Sequence, residues 1–443
     1  MGRPNIVLIM ADQQRMDSLG CYGNVFTRTP NLDRLATEGI RFTHALTPWP
    51  VCTPARATMW TGVYPHAHKL TGNVYGVDNA FEAQSPIRIT LFDLLRRAGY
   101  LTAHFGKWHL GEARPPFFDV WEESFNSRLG HWVDGLQDGV YRPDLQTDAC
   151  VRFIREQQGA DRPFALVQGF YPPHDPFTAP RRFYEPYRGK GVPFAGYYAA
   201  VSALDECVGR TVAALEETGQ RQNTLLIYYS DHGETFFYRP EGEHKFVCFE
   251  EAIRVPFIMS WPGRLPAGAV RDHFIGLQDL MPTVLDYAGA ADPIPATLHG
   301  RSVRAVVEDA TAPWREDFYV QTITHRSRIE QRCLRTRRWK LIGGANGRHS
   351  LYDLEADPEE ELDIFLTPRP DSGFERYKHV PDHAPTIAGM ARRMREIAAG
   401  MDDATGVRIA EDVLASLRPR LPAADVPGGN PSPNAARDQV PET

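Results

Sequence analysis

Asn5-Ile6-Val7-Leu8-Ile9-Met10-Ala11 runs directly into Asp12-Gln13-Gln14. After its first residue the run is apolar at every position rather than at every second one. That pattern belongs to a strand covered by helices on both faces, as in a parallel sheet. The abrupt change to Asp12-Gln13 marks the carboxyl end of the strand, the side on which open α/β sheets place their ligands.

The segments on either side repeat the alternation. After Pro30-Asn31, the residues Leu32, Leu35 and Ala36 recur at helical spacing and Gly39 supplies a stop. A helix over Leu91 to Ala98 ends at Gly99 and leads into a strand from Tyr100 to Phe105. Phe164 to Phe170 reads as a strand, Tyr197 to Thr218 as a long helix, and Thr224 to Ser230 and Val255 to Ser260 as strands. The series predicts an α/β unit over residues 1–310, with a mostly parallel central sheet flanked by helices. Beyond it, Phe318 to Ile323, Gln331 to Ile342 and Ser350 to Asp353 are short strand candidates between charged turns. They are followed by helical stretches at Asp382 to Gly400 and Gly406 to Leu417. Residues 311–417 are therefore expected to form a smaller C-terminal α+β subdomain with an antiparallel sheet. Residues 418–443, rich in Pro, Gly, Ala and Asn, read as an extended tail.

Composition removes several classes of function. The 443 residues are 42% hydrophobic and 24% charged, which is ordinary for a folded globular chain. Lys and Arg number 49 against 56 Asp and Glu, a formal charge of −7, so there is no cationic excess for a nucleic acid or an anionic membrane. No apolar run reaches the roughly 18 residues of a membrane span, and Met1 to Met10 enters a strand without room for a signal peptide. The six cysteines (Cys21, Cys52, Cys150, Cys207, Cys248 and Cys333) contain no CxxC pair, which argues against a disulfide framework or a zinc finger. A cytoplasmic protein is the expectation.

Two strand ends carry conspicuous chemistry. Asp12-Gln13 closes the first strand and Asp231-His232 closes Leu225-Leu-Ile-Tyr-Tyr-Ser230. Two carboxylates, an amide and an imidazole meeting over a sheet suit Ca²⁺, Mg²⁺ or Mn²⁺ better than a structural zinc. Either pair by itself is more often read as an Asp capping the next helix. The decisive segment is Cys52-Thr53-Pro54-Ala55-Arg56, with Thr61-Gly62-Val63-Tyr64-Pro65-His66 behind it.

In these residues the chain resembles the sulfatase family of the alkaline phosphatase superfamily, whose signature is CxPxR followed by a TGxYPH-like segment. Further matching segments follow in order: Gly106-Lys-Trp-His-Leu-Gly111, Pro173-His-Asp-Pro-Phe177, Ser230-Asp-His-Gly-Glu234, Lys245 with Phe249-Glu-Glu251, Asp279-Leu-Met-Pro-Thr283 and Leu351 to Glu359. Together with Asn5 to Gln13 the resemblance covers about residues 4 to 365. It implies an alkaline phosphatase-like fold and hydrolysis of a sulfate ester to alcohol and inorganic sulfate. It further implies that Cys52 is oxidised to formylglycine by a formylglycine-generating enzyme. The hydrated aldehyde has two hydroxyls on one carbon: one attacks sulfur and displaces the alcohol, and the other, on losing its proton, expels sulfate.

The same resemblance implies roles residue by residue. Asp12, Asp231 and His232 are metal ligands, with Gln13 a further ligand or close partner and Cys52, once modified, completing the shell. Many sulfatases have Asp at the Gln13 position and Asn or Gln at the His232 position. That departure leaves the choice between Ca²⁺, the family's ion, and Mn²⁺ or Mg²⁺ open. Arg56 fixes the diol, His109 is the base on its second hydroxyl, and Lys107 and Lys245 balance the charge of the sulfuryl oxygens. His174 with Lys245 flanks the leaving oxygen. Asn73, in Leu70-Thr71-Gly72-Asn73, reads equally as a substrate contact or as a turn residue.

A phosphonate monoester or phosphodiester hydrolase of the same superfamily is the nearest alternative, set against the sulfatase-like Lys107 and His109. An inactive homologue that binds a sulfated glycan is the alternative from another class. The expected partner is a small sulfated substrate, an aryl, alkyl or sugar sulfate, and whether the chain is a homo-oligomer stays open. Trp49, Trp60, Trp108 and Trp132 are candidates both for an aromatic substrate wall and for core.

Overall fold

Asp12 and Asp231 are brought side by side by register alone. In a computed structural model, which describes residues 2–126, 129–135, 138–239, 243–290, 298–368, 374–376 and 380–417, one strand pair sets the geometry. β1 (Asn5–Asp12) lies parallel to the strand Thr224–Ser230 with Ala11 opposite Ser230, so the two strands end level. In chain order the remaining strands of this sheet are β2 (Ile40–Leu46), β3 (Leu101–Lys107), β4 (Val120–Phe125), β5 (Phe164–Pro173), β6 (Thr224–Ser230), β7 (Phe257–Ser260) and β8 (Ala269–Gly276). Their spatial order is β4-β3-β5-β1-β6-β7-β2-β8. Every pairing is parallel except the two made by β7, which runs against β6 and β2. The expected mostly parallel α/β sheet is present. The strand read from Val255 begins two residues later and is the antiparallel one.

The uninterrupted apolar character of β1 has its expected cause. Ile6, Leu8 and Met10 join one core with Trp60, Phe92 and Met281. Val7, Ile9 and Ala11 join the opposite core with Phe153, Leu204 and Val208, the last two from the helix Ala195–Glu217. Burying each such side chain contributes about 1.5–3 kcal/mol, and a one-residue slip would not expose the strand but would misplace Asp12. Trp49, Trp60, Trp108 and Trp132 are all buried, and Trp60 stacks with Trp108 at 6.2 Å in the first core. Trp108 packs in that same core, and Trp132 belongs to a smaller cluster with Tyr141 and Tyr187.

The second sheet is antiparallel: β9 (Asp317–Ile323), β10 (Glu330–Thr336), β11 (Trp339–Gly344) and β12 (His349–Asp353), in the order β12-β11-β10-β9. The Gln331 to Ile342 stretch is thus two strands turned at Arg337-Arg338. One face packs Leu334, Leu341 and Leu351 against Ile387, Met394 and Val413 of the helices Val380–Gly400 and Ala404–Ser416. The other packs Phe318, Val320 and Cys333 against Leu46, Val247, Phe249 and Phe274 of the first unit. The tail expected over residues 418–443 lies outside the described residues. Among the described residues no helix is long and apolar enough to cross a membrane.

Behind the helix Cys52–Thr61, His68 is fully buried. Its Nδ1 accepts from the Leu70 N–H at 3.1 Å, so Nε2 carries the proton toward Thr58 Oγ1 at 3.1 Å. Burial, reinforced by His66, pushes the His68 pKa down to about 3 from 6.5. Between those values the unfolded chain binds a proton that the folded chain refuses, so stability falls as pH falls through this window. His68→Gln should flatten the pH dependence of the unfolding free energy, measured by urea titration between pH 6.5 and 4, by up to about 1.4 kcal/mol per pH unit. Identical slopes for the two proteins would refute the assignment.

Candidate active site

Four adjacent strands, β3, β5, β1 and β6, deliver chemistry-bearing residues from their carboxyl ends: Lys107 and His109, His174, Asp12 and Gln13, and Asp231 and His232. Gln13 and His109 both take a left-handed backbone conformation, with φ of 64° and 59°. The turn at Gln13 aims its N–H at Asp231 Oδ1, 3.1 Å away. Gly233 lies against the backbone of Glu251, whose carbonyl oxygen would sit 1.9 Å from an added Cβ, so no other residue fits after His232.

The helix Cys52–Thr61 begins over these strand ends, with Cys52 at its first position and Pro54 in its first turn, where a missing N–H costs nothing. One turn on, Arg56 is completely buried and binds both carboxylates: Nε donates to Asp231 Oδ2 at 3.0 Å and Nη2 to Asp12 Oδ2 at 2.9 Å. Its Nη1 donates to the Lys107 and Trp108 carbonyls. Lys107 Nζ also pairs with Asp12 Oδ2. Burial and the neighbouring Cys52 act to raise the Asp12 pKa, and Lys107, His174 and Arg56 overcome them to hold it well below the usual carboxylate range.

Asp12, Cys52, Asp231 and His232 each present one ligand atom, and these atoms all lie within 4.8 Å of one another. His232 Nδ1 lies 3.0 Å from the Gly233 carbonyl, which fixes a proton there and turns Nε2 to the cluster, 3.3 Å from Cys52 Sγ. Two carboxylate oxygens and an imidazole nitrogen fit a hard or borderline divalent cation. Gln13 stands at the edge of the cluster, its side-chain oxygen accepting from Lys245 Nζ at 2.6 Å.

The cations close the other side. Cys52 Sγ lies 3.7 Å from Lys107 Nζ and 3.5 Å from Lys245 Nζ. Burial would push the thiol pKa up, but Lys107, Lys245 and His232 hold it well below its ordinary value. Arg56, Lys107 and Lys245 set three cationic side chains around Asp12, Asp231 and residue 52, while burial and the neighbouring Asp12 charge push the Asp231 pKa up. Lys245 Nζ is 2.9 Å from His174 Nε2, and His174 Nδ1 is 2.7 Å from Asp175 Oδ1. His109 is buried beside Cys52, its ring 5.5 Å from that of Tyr75. Burial, with Lys107 next in importance, pushes its pKa down to about 4, so it is neutral at pH 7. Asn73 Oδ1 accepts from the Thr53 N–H at 3.2 Å, which places it at the start of the helix that carries Cys52.

Two residues without a role in the sequence reading also belong here. The Tyr171 ring lies 4.7 Å from Lys107 Nζ and 4.8 Å from the His174 ring, lining the space between them. Glu234 is fully buried against Gln13. It stands inside the quoted Ser230 to Glu234 segment, where its signal was a charged residue in an otherwise buried stretch.

Comparison with known proteins matches residues 4–290 to the Sulfatase family and residues 242–376 to the C-terminal family of N-sulphoglucosamine sulphohydrolase. The chain is 28% identical to an arylsulfatase of Clostridium perfringens, over 81% of this chain and 89% of that protein. It is 27% identical to an N-acetylglucosamine-6-O-sulfatase of Bacteroides thetaiotaomicron, over 82% and 83%. Among solved structures, the sulfatase yidJ of Bacteroides fragilis superposes with a TM-score of 0.77 at 26% identity, covering 92% of this chain and 98% of that one. The phosphonate monoester hydrolase of Agrobacterium radiobacter shares the fold, with a TM-score of 0.72 at 21% identity over 90% and 96%.

Arg56→Ala would leave two buried carboxylates facing each other. Breaking a buried pair from one side costs about 3–5 kcal/mol, so the variant should unfold at markedly lower urea than the parent. Arg56→Lys, with a single ammonium in place of the fork, should recover only part of the loss. Parent-like stability in Arg56→Ala would show that the carboxylates do not depend on this residue.

Proposed function

The chain belongs to the sulfatase family and is a sulfuric ester hydrolase, and we propose that it cleaves a small sulfate ester with formylglycine at position 52 and one divalent cation. The observation that carries this reading is the convergence of Cys52 on Asp12, Asp231 and His232 within a ring of buried cations. Asp12, Asp231 and His232 hold the cation, with the Gln13 oxygen and residue 52 beside them. When bound, the cation supplies positive charge that favours the ionised form of a hydroxyl at residue 52. The hydrated aldehyde supplies a nucleophilic hydroxyl and a second hydroxyl through which the sulfate is released.

The remaining work falls to the chain's own side chains. Arg56 orients Asp12 and Asp231 through one hydrogen bond to each carboxylate. Lys107, and Lys245 from the opposite side, face the place where the sulfuryl oxygens gather charge in the transition state. His109, neutral at pH 7 and beside residue 52, takes the proton from the second hydroxyl. His174 directs Nδ1 at Asp175 and receives Lys245 at Nε2, so Lys245 is the group placed to give a proton to the departing oxygen. The substrate class is an aryl, alkyl or sugar sulfate. The match of residues 242–376 and the N-acetylglucosamine-6-O-sulfatase relative favour an amino-sugar sulfate within it.

The phosphonate reading has a specific basis in the shared fold, because a phosphonate presents equatorial oxygens to the same cations. Rates with an aryl sulfate and an aryl phosphonate ester bearing the same leaving group separate the two. The presence of both Lys107 and His109 predicts a higher kcat/KM for the sulfate, and the reverse order would overturn the sulfatase reading.

Chelation should abolish turnover and added Mn²⁺, Mg²⁺ or Ca²⁺ should restore it. Full activity after exhaustive chelation, with no metal by elemental analysis, would contradict the metal role. Lys107→Ala should slow good and poor leaving groups alike. Lys245→Ala should slow alkyl and sugar sulfates far more than nitrophenyl sulfate, by the roughly 100- to 10,000-fold typical of a lost general acid. Equal losses across a leaving-group series would refute this division. Because Cys52 is only 1% exposed, its conversion has to precede folding: purified folded protein carrying cysteine should remain unconverted when treated with a formylglycine-generating enzyme. Efficient conversion of the folded chain would refute that order.

A further inference from the structure

Glu234 has no part in the chemistry just described, yet it is fully buried two residues beyond His232. A buried carboxylate is tolerated only when its oxygens are well supplied with donors. Oε1 accepts from the Phe236 N–H at 2.6 Å and from His244 Nδ1 at 3.0 Å, while Oε2 lies 3.1 Å from the same His244 nitrogen and takes the Gln13 amide. The backbone ties the same segments together, since Thr235 N–H donates to the His244 carbonyl at 2.8 Å. Glu234 thus grips the residue before Lys245 and the residue after Asp12 at once.

The Gln13 side chain is held between two groups of fixed polarity. A carboxylate only accepts and an ammonium only donates. With Glu234 on one side and Lys245 Nζ at 2.6 Å on the other, the NH₂ has to face Glu234 and the oxygen has to face Lys245. A half-turn of the carboxamide would set oxygen against carboxylate and NH₂ against ammonium, losing two charge-assisted hydrogen bonds in a buried site. Lys245 Nζ is itself 3.5 Å from Cys52 Sγ, so the oxygen points to the side where the candidate metal ligands gather.

We infer that Glu234 is a positioning residue that locks the Gln13 carboxamide with its oxygen toward the cation site, making a neutral glutamine serve where many sulfatases have aspartate. The inference rests on the reading of Asp12, Asp231 and His232 as metal ligands. Gln13 and Glu234 act as one unit: an amide that could present either end is made single-ended by the carboxylate behind it. Replacing Glu234 by glutamine brings an amide against an amide and removes the reason for one orientation. Exchanging the two residues, with Gln13→Glu and Glu234→Gln together, restores it. Both oxygens of the carboxylate then at position 13 are acceptors, and the amide then at position 234 supplies the donor between the two side chains.

The test is Mn²⁺ affinity, measured by titrating Mn²⁺ alone into the metal-free full-length protein and following free Mn²⁺ by its paramagnetic resonance signal. Glu234→Gln should bind about 10- to 100-fold more weakly, the usual effect of removing an outer partner of a ligand. The exchanged double variant should regain the parent's affinity, which no purely structural role of Glu234 would produce. Parent-like affinity in Glu234→Gln overturns the inference, and so does a weakened single variant that the exchange fails to rescue. Should Glu234→Gln not fold alone, the double variant decides: it must fold and bind Mn²⁺ like the parent, and its failure overturns the inference. A parent protein that binds neither Mn²⁺ nor Ca²⁺ overturns the metal reading and this inference with it, an outcome distinct from a defect confined to the variants.

Discussion

Two like charges held within the 4.8 Å span of this cluster repel by about 3–4 kcal/mol at an effective dielectric near 20. Asp12 and Asp231 are that pair, both without solvent exposure; burial and Asp12 push the Asp231 pKa up, and Arg56, bonded to both, opposes that shift. Much else follows from this constraint. The helix Cys52–Thr61 has to begin over the ends of β1 and β6 so that Arg56, one turn in, reaches both carboxylates. That placement sets Cys52 at the helix start, against His232 and the two lysines. β1 and β6 have to end level, and the parallel register of Ala11 with Ser230 provides it.

The site is also held from the second unit. Lys245 belongs to a segment whose next residues, Val247 to Phe249, are packed under β9 and β10. Immediately after it, Glu250 pairs with the buried Lys340 of β11 at 2.8 Å, and Lys340 with Glu360 at 2.6 Å. Coulombic pairing with Lys340 and Arg335, working against burial, keeps the Glu250 carboxyl far below its ordinary pKa. Lys245 is therefore fixed from three directions: by Gln13, by His174 and by the antiparallel sheet that anchors its loop.

How much of this was legible depended on what each residue faces. β1 and β6 were readable because both faces of each are covered, so every position is apolar. β4 and β8 were not, since they are the edges of the sheet and residues such as Glu122, Glu123 and Asp272 break the apolar run. The helix Arg142–Glu156 was missed although Leu145, Ala149, Phe153 and Ile154 repeat at helical spacing, because Pro143 and six charged residues obscure the pattern. Side-chain periodicity carries no strand direction, which is why the reversal of β7 was invisible. In the site, polar residues closing apolar runs gave Asp12 and Asp231 directly, whereas Lys107, His109, His174 and Lys245 were recognised only through the family resemblance. Glu234 escaped because its significance is relational: a carboxylate acquires meaning here only from the amide and imidazole that fold around it.

The account stands on the identity of residue 52 in the active protein. The most direct measurement is the mass of the peptide carrying residue 52, taken from the same preparation whose sulfate-ester turnover is followed, with the chain produced together with a formylglycine-generating enzyme. The account predicts a peptide about 18 Da lighter than its cysteine form, in a fraction that rises in proportion to kcat from one preparation to the next. Multiple turnover of a sulfate ester by protein whose residue 52 is entirely cysteine would contradict it.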